Sequence, residues 1–477
     1  MLEMPTGCGK SALALAYGEL IGSKQTTVLT ATISLQEQYE RDFDNMVVFK
    51  GRGNYECEEN GLTAAEGVCM SRPGYRCDSD YYVMRRSVEQ ARRVAANYAV
   101  YLNHLFYSRL DRKPDLLVCD EGHRLLDILT QFETVKLDAG LCRKLKVSDE
   151  GWEDLEYAKT WAGVAASSVH ATMQDAIING DKKAKLWAQL YRQITGIMDA
   201  GEDYITLKTG EVLEAAPLWP RKAAKKLFGS ARSVLIQSAT LYGGHTLAEL
   251  LGLTDPTGQV RNQYQFYTVP SPFDSARWPV YYRPVVSLNK GSTNEEWDRM
   301  AEVVHDYVHR YNSVKGVIHV AARNQVDRLS SRVRECRAGC RDRLLLPSKP
   351  TLPGGRAQLL DRFRRSPPGT WLCHYSMGEG ESFDDDTARI QLIAKLPFAD
   401  LGSKITRLRS EEPGIGSRYY AGLAAGRIAQ ICGRGMRHSA DYCETILLDG
   451  AFGRLWQWHK ELFPSWFSDI LHIGGSK

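Results

Sequence analysis

The chain has 477 residues, which at roughly 100–200 residues per domain predicts two to four domains. Its 43% apolar and 25% charged content, with 41 Gly and 18 Pro, excludes disordered, collagen-like and low-complexity architectures, and no run approaches the roughly 20 apolar residues of a membrane span. The net charge of +4, from 61 basic and 57 acidic residues, means that a polyanion must be held by local basic patches.

Eleven cysteines without an export signal argue against a disulfide framework and for metal or cluster ligation by some of them. A soluble, cytoplasmic protein is the expectation, nucleoid-associated if the source is bacterial or phage. At the chain start, Met4-Pro5-Thr6-Gly7-Cys8-Gly9-Lys10-Ser11 precedes the apolar helical stretch Ala12–Ile21. In a phosphate-binding loop, glycines let backbone N–H groups turn inward, lysine reaches the β/γ oxygens and the serine hydroxyl holds Mg²⁺. Gly7, Gly9, Lys10 and Ser11 fit those roles, while Met4 stands where Gly or Ala is usual. A plain glycine turn before a helix is the alternative.

The strand Thr27–Thr30 comes next, followed by Thr32, Ser34, Gln36 and Gln38. A helix N-cap by Thr32 or Ser34 is the ordinary reading of that end. Cys57, Cys69 and Cys77 then follow with 11 and 7 residues between them. Thiolates so spaced can hold an iron–sulfur cluster, which takes four ligands. No fourth cysteine follows, leaving Glu58, Asp78 or Asp80 as substitutes; zinc or buried structural cysteines are the alternatives. The helix predicted after Cys77 carries Arg85, Arg86, Arg92 and Arg93. Seven residues is about two turns, so both pairs share one face, either simply solvated or in contact with phosphates.

Leu116–Cys119 reads as a buried parallel strand ending in Asp120-Glu121-Gly122-His123, and ligands bind at that edge of open α/β sheets. Asp120 would hold Mg²⁺, and Glu121 would orient and deprotonate the attacking water. Helical spacing runs through 128–212, with Trp152, Trp161 and Trp187 as core anchors. Further strands are expected at Val234–Ile236, Lys315–Val320, Trp371–Tyr375, Ile390–Ala394 and Thr445–Leu448. Strands alternating with helices in two separate regions predict parallel sheets. Cys336 and Cys340 lie four apart in a stretch with Arg332, Arg334, Arg337, Arg341 and Arg343. No nearby His or Cys completes a tetrahedron, so metal is not expected there and the arginines read as solvated surface. Trp456, Trp458, Phe463 and Trp466 read as core.

Asp-Glu-x-His after an apolar strand, with Thr6-Gly7-x-Gly9-Lys10-Ser11, resembles superfamily 2 helicases. Five further segments make the chain similar to the iron–sulfur branch, the XPD/DinG family: Lys50–Cys57, Asn97-Tyr98 with Asn103-His104, Ser238-Ala239-Thr240-Leu241, Ser271-Pro272-Phe273, and Gln430-x-x-Gly433-Arg434-x-x-Arg437. The resemblance implies an α/β fold of two RecA-like motor domains, parallel sheets flanked by helices, the first interrupted by a small cysteine-bearing domain and a helical arch domain. The first motor would take residues 1–49, 96–127 and 213–252, the cluster insertion 50–95, the arch 128–212, and the second motor 253–477.

The resemblance also implies ATP, Mg²⁺ and a 4Fe–4S cluster as cofactors, and single-stranded or forked DNA as partner, tracked 5′→3′; it names no protein partner. ATP would contact Thr6, Gly7, Gly9, Lys10, Ser11 and Gly380, with Gln430 sensing the γ-phosphate and Arg434 and Arg437 reaching the transition-state charge. Cys57, Cys69 and Cys77 would ligate the cluster. Thr30, Thr32, Gln36, Arg85, Arg86, Arg92 and Arg93 would touch DNA. Two departures stand out: only Met1, Leu2 and Glu3 precede the loop, and Ser382 occupies a position where the family commonly has Asp. A DEAH-type RNA helicase and an ATP-gated nucleic-acid-binding module that does not unwind are the rival readings.

Overall fold

A computed structural model describes the chain except residues 60, 66–79, 108–112, 149–153, 180, 182, 255–263, 337–338, 348–354, 376–382, 384 and 475–477, and except the side chains of 107, 208, 209, 332 and 334. The first motor begins with β1 (Leu2–Glu3), β2 (Thr26–Thr30), β3 (Met46–Phe49), β4 (Arg93–Asn97) and β5 (Leu116–Cys119). A small antiparallel sheet follows, built from β6 (Val135–Asp138), β7 (Tyr204–Thr209) and β8 (Val212–Pro217). The chain then returns to the motor as β9 (Ser233–Ser238) and β10 (Tyr267–Thr268). Among the described residues the motor sheet has the order β10-β1-β9-β5-β2-β4-β3, parallel throughout. All four side chains of β5 are wholly buried, as a strand covered by helices on both faces requires.

The second motor carries β11 (Val280–Val286), β12 (Gly316–His319), β13 (Leu344–Leu345), β14 (Trp371–His374), β15 (Ile390–Ile393), β16 (Glu444–Asp449) and β17 (Leu471–Ile473). Its order is β13-β14-β12-β15-β16-β11-β17, again all parallel. Four of these strands lie where the apolar runs predicted them. The two motors meet at Arg409, from the helix Lys404–Glu411 of the second. Its guanidinium is buried, donates to the Leu218 carbonyl at 2.6 Å and Thr130 Oγ1 at 2.7 Å, and lies over the rings of Trp219 and Tyr419.

Several boundaries move. The insertion ends before residue 93, because β4 pairs with both β2 and β3; its Arg-Val-Ala-Ala-Asn sequence has little β propensity of its own and is a strand through that double pairing. The arch is not helical throughout: long helices at Leu155–Ile178 and Ala184–Met198 pack beside the antiparallel sheet, which claims 213–217 from the motor. At its far end the motor extends past 252, since β10 pairs with β1. The basic segment after Cys77 is not one helix. Asp80–Gln90 is helical and carries Arg85 and Arg86, whereas Arg92 and Arg93 lie beyond it and both ion-pair with Glu19. Trp456, Phe463 and Trp466 are core residues, but Trp458 is 65% exposed. At the β13 edge the helix Asn294–Arg310 brings His305 and His309 against Cys336 and Cys340, ligands that proximity in sequence did not supply.

Candidate nucleotide site

β1 delivers the chain into the loop, with the Met4 N–H donating to the Ser238 carbonyl of β9 at 3.0 Å. Met4 is buried, so the side chain that breaks the usual pattern sits in the core. Gly7 and Gly9 have φ of 81° and 76°, the left-handed region that glycine enters without steric cost. Gly9 caps the helix Lys10–Leu20, leaving its first N–H groups for an anion. Lys10 Nζ donates to the carbonyls of Pro5 at 3.0 Å and Met4 at 3.3 Å. Burial pushes its ammonium pKa down, Glu121 and Asp120 push it up, and Arg437 lowers it.

Asp120 stands at the C-terminal end of β5. Its Oδ1 accepts from Gln237 Nε2 at 3.1 Å and from the Glu121 N–H at 3.0 Å, and its Oδ2 accepts from the Tyr39 hydroxyl at 3.0 Å. Tyr39 also hydrogen-bonds Ser11, so one phenol ties together the two side chains expected to hold magnesium. Burial, then the neighbouring Glu121 carboxylate, raises the Asp120 pKa. A buried carboxylate crowded by a second one and adjoining a serine hydroxyl is an oxygen donor set that suits a hard divalent cation.

Glu121 has φ of 51°, a left-handed backbone that is uncommon outside glycine. Burial pushes its carboxyl up, but the hydrogen bond and charge of His123, with Lys10 and Arg124, bring it down to about 2. It is therefore a carboxylate at neutral pH. His123 Nδ1 lies 3.3 Å from Glu121 Oε2 and 2.8 Å from Ser238 Oγ, linking the acidic turn to Ser238-Ala239-Thr240-Leu241. That segment is also held by Glu3, whose Oε2 accepts the Leu241 N–H at 2.7 Å. Burial raises the Glu3 pKa to about 7 against the lowering effect of that bond.

The second motor closes over this face. Gln430, on the helix Gly416–Cys432, donates to Thr240 Oγ1 at 3.2 Å. A Cβ on Gly7 would lie 2.8 Å from the Arg437 carbonyl and 3.2 Å from Phe273 Cζ, so the phosphate loop abuts both Ser271-Pro272-Phe273 and the arginine segment. Arg434 is buried in the short turn Gly433–Gly435. A cleft lined by His123, Arg124, Asp127, Thr240, Tyr242, Gln430 and their neighbours runs between the motors beside these contacts.

The residues expected at DNA divide. Thr30 is buried and donates to the Thr32 carbonyl, and Thr32 supplies the N-cap by accepting the Leu35 N–H at 3.3 Å. Gln36 is wholly buried and donates to the Phe49 carbonyl at 3.1 Å and the Ala95 carbonyl at 3.5 Å. Its side chain ties β3 to β4 and has no face toward a ligand, which corrects the expected DNA contact. Arg85 pairs with Glu89 at 3.9 Å on a half-exposed face. Arg92 and Arg93 lie at the N-terminal edge of the sheet, opposite the nucleotide loop. Cys57 is buried, while Cys69, Cys77, Gly380 and Ser382 lie outside the described residues.

Sequence reasoning missed Tyr39 and Gln237, and it marked Asn97-Tyr98 without foreseeing that the Tyr98 hydroxyl donates to the Asp120 carbonyl at 2.8 Å. Each comes from a different element, and no local pattern marks an aromatic or amide that reaches a carboxylate 81 or 117 residues away.

Comparison with known proteins agrees with this arrangement. Residues 314–470 match a helicase C-terminal domain, and residues 1–139 match a family described as the res subunit of type III restriction enzymes. No curated protein matches. Among solved structures, an XPD helicase has a TM-score of 0.61 at 14% identity, covering 99% of this chain and 95% of its own. Xpd4 of S. tokodaii has a TM-score of 0.60 at 14% identity and the same coverage. An apo XPD structure has a TM-score of 0.61 at 14% identity, covering 99% and 96%. The chain therefore shares the two-sheet fold of the XPD helicase structures along nearly its whole length, and its second sheet lies in a region that matches a helicase C-terminal domain.

Proposed function

We propose that the chain is an ATP-driven translocase and helicase on single-stranded or forked DNA, moving 5′→3′. The observation that carries this reading is the contact of the arginine segment of one motor with the phosphate loop of the other, at Gly7 and Arg437. Lys10 and the N-terminus of its helix bind the phosphates, and Ser11 and Asp120 hold the magnesium that neutralises phosphate charge. Glu121, ionised at neutral pH, orients and deprotonates the attacking water. Arg434 and Arg437 stabilise charge on the transferring group, and Gln430 couples its presence to Thr240. Opening and closing of the cleft then moves two DNA grips along the strand.

Strand displacement on 5′- and 3′-tailed duplexes, together with ATPase stimulation by single-stranded DNA and RNA, tests the reading. Unwinding of the 5′-tailed duplex alone is expected. Stimulation by RNA only would favour the DEAH-type alternative, and DNA-stimulated turnover without displacement would favour the clamp. The finer cofactor reading is a 4Fe–4S cluster on Cys57, Cys69 and Cys77, supported by the Lys50–Cys57 segment and by a buried Cys57. Anaerobically purified protein should carry iron that the Cys77→Ser variant lacks, with DNA-independent ATP hydrolysis retained. Iron-free protein that still unwinds DNA would remove the cluster.

A further inference from the structure

The helix Asn294–Arg310 presents His305 and His309 about one turn apart. Facing them, Cys336 ends the helix Arg323–Glu335 and Cys340 opens the turn Cys340–Arg343. One ligand-capable atom from each of the four lies within 4.8 Å of the other three. Cys340 Sγ is 3.6 Å from His309 Nδ1 and 3.2 Å from Cys336 Sγ. A tetrahedral zinc with Zn–S of about 2.3 Å and Zn–N of about 2.0–2.1 Å sets sulfur and nitrogen about 3.6 Å apart and two sulfurs about 3.8 Å apart. The sulfur–nitrogen spacing already meets that demand, and the sulfurs need to part by about half an ångström.

His305 completes the set. Its Nε2 is buried without a hydrogen-bond partner, while Nδ1 faces Asp306 Oδ1 at 3.7 Å. A buried imidazole nitrogen without a hydrogen-bond partner, on a residue grouped with two thiols and a second imidazole, is a donor that a metal ion would satisfy. Arg343 Nη2 lies 3.4 Å from Cys340 Sγ, a cation beside a ligand sulfur. The donor chemistry discriminates among ions: two thiolates and two imidazoles select a borderline-soft ion, whereas magnesium and calcium take oxygen.

We propose that His305, His309, Cys336 and Cys340 bind a structural zinc ion that fastens the turn before β13 to the helix Asn294–Arg310. β13 is two residues long and forms the edge of its sheet. With four protein ligands the coordination shell is closed, which marks a structural role. On binding, each cysteine thiol gives its proton to solvent and each neutral imidazole donates a lone pair.

The test is metal analysis of the full chain after expression in zinc-supplemented medium and gel filtration. About one zinc per chain is expected, falling roughly tenfold or more in His309→Ala and in the double variant Cys336→Ser/Cys340→Ser. Cys57→Ser should keep it. Because the variants could fold poorly, the wild-type chain is also loaded with Co²⁺, whose tetrahedral, thiolate-bound absorption should appear and be displaced by Zn²⁺. A zinc-free wild-type chain without the cobalt spectrum would overturn the proposal. So would iron at these four residues, a Cys336–Cys340 disulfide in peptide mapping, or full zinc retention by the double variant.

Discussion

The two motors gather ionisable side chains in opposite ways. At the ends of β1, β5 and β9, Lys10 donates to the loop carbonyls of Met4 and Pro5, and Asp120 is pushed up by burial and by Glu121. At the β13 edge, two sulfurs and two imidazoles face one another in a closed ring of donors. Buried charge is tolerated only with a partner. The first site leaves part of its complement to a ligand that comes and goes, whereas the second is shaped for an ion that stays. The contrast teaches that a cluster's openness, more than its residue types, separates turnover from fastening.

The comparison breaks most visibly at the arginines. Arg434→Ala or Arg437→Ala should cost about 10³–10⁵ in turnover, as cationic fingers do, with ATP affinity far less affected. Should nucleotide binding collapse while turnover per bound ATP stays normal, both are structural. Next come the groups at the phosphate and the water. Glu121→Gln should lower turnover by about 10²–10⁴ while still binding ATP, and Lys10→Ala should lose affinity as well. Wild-type turnover in either variant would remove the assigned site. Tyr39→Phe removes the hydroxyl shared by Ser11 and Asp120 and should weaken magnesium dependence by about 10–100-fold. An unchanged Mg²⁺ titration would show that the phenol only packs.

The smallest effect is on stability. Glu3 has its folded-state pKa raised to about 7 from 4.5, so the folded chain holds that proton more tightly than the unfolded one. Its contribution is complete below about pH 4.5 and is lost as pH rises through about 7. At about 1.4 kcal/mol per unit of pKa the ceiling is about 3 kcal/mol. Glu3→Gln should flatten thermal stability between pH 5 and 8, and an identical slope in wild type and variant would dismiss the assignment.

What the sequence disclosed was local. Four apolar residues followed by Asp120-Glu121 announce a buried strand and its functional end within one window, as does the glycine loop before Lys10. What it concealed depends on pairing across distance. β4 has two alanines and becomes a strand by lying between β2 and β3, and β6 waits for β8, some 75 residues later, to pair with it. Gln36 looked like a surface amide after a strand end, yet it closes a gap between two strand carbonyls. His305 and Cys340 share no motif, because a helix and a turn joined through the sheet bring them together.

Arg409 has a mechanical meaning. To part the motors at that point would take a guanidinium away from the Leu218 carbonyl, Thr130 and the Trp219 ring, at about 1.5–3 kcal/mol for each hydrogen bond to the charged group. Among the described residues, the contacts across the nucleotide face include an amide–hydroxyl bond at Gln430 and the approach of Gly7 to a carbonyl, and the ion pair of Arg418 with Glu249 at 2.8 Å also joins the motors. Arg409 is thus a spine along which the second motor is bound to the rest of the molecule, as the cover of a book is. Because that spine is sewn to the root of the arch at Leu218 and Thr130, each turn of the cover pulls on the arch.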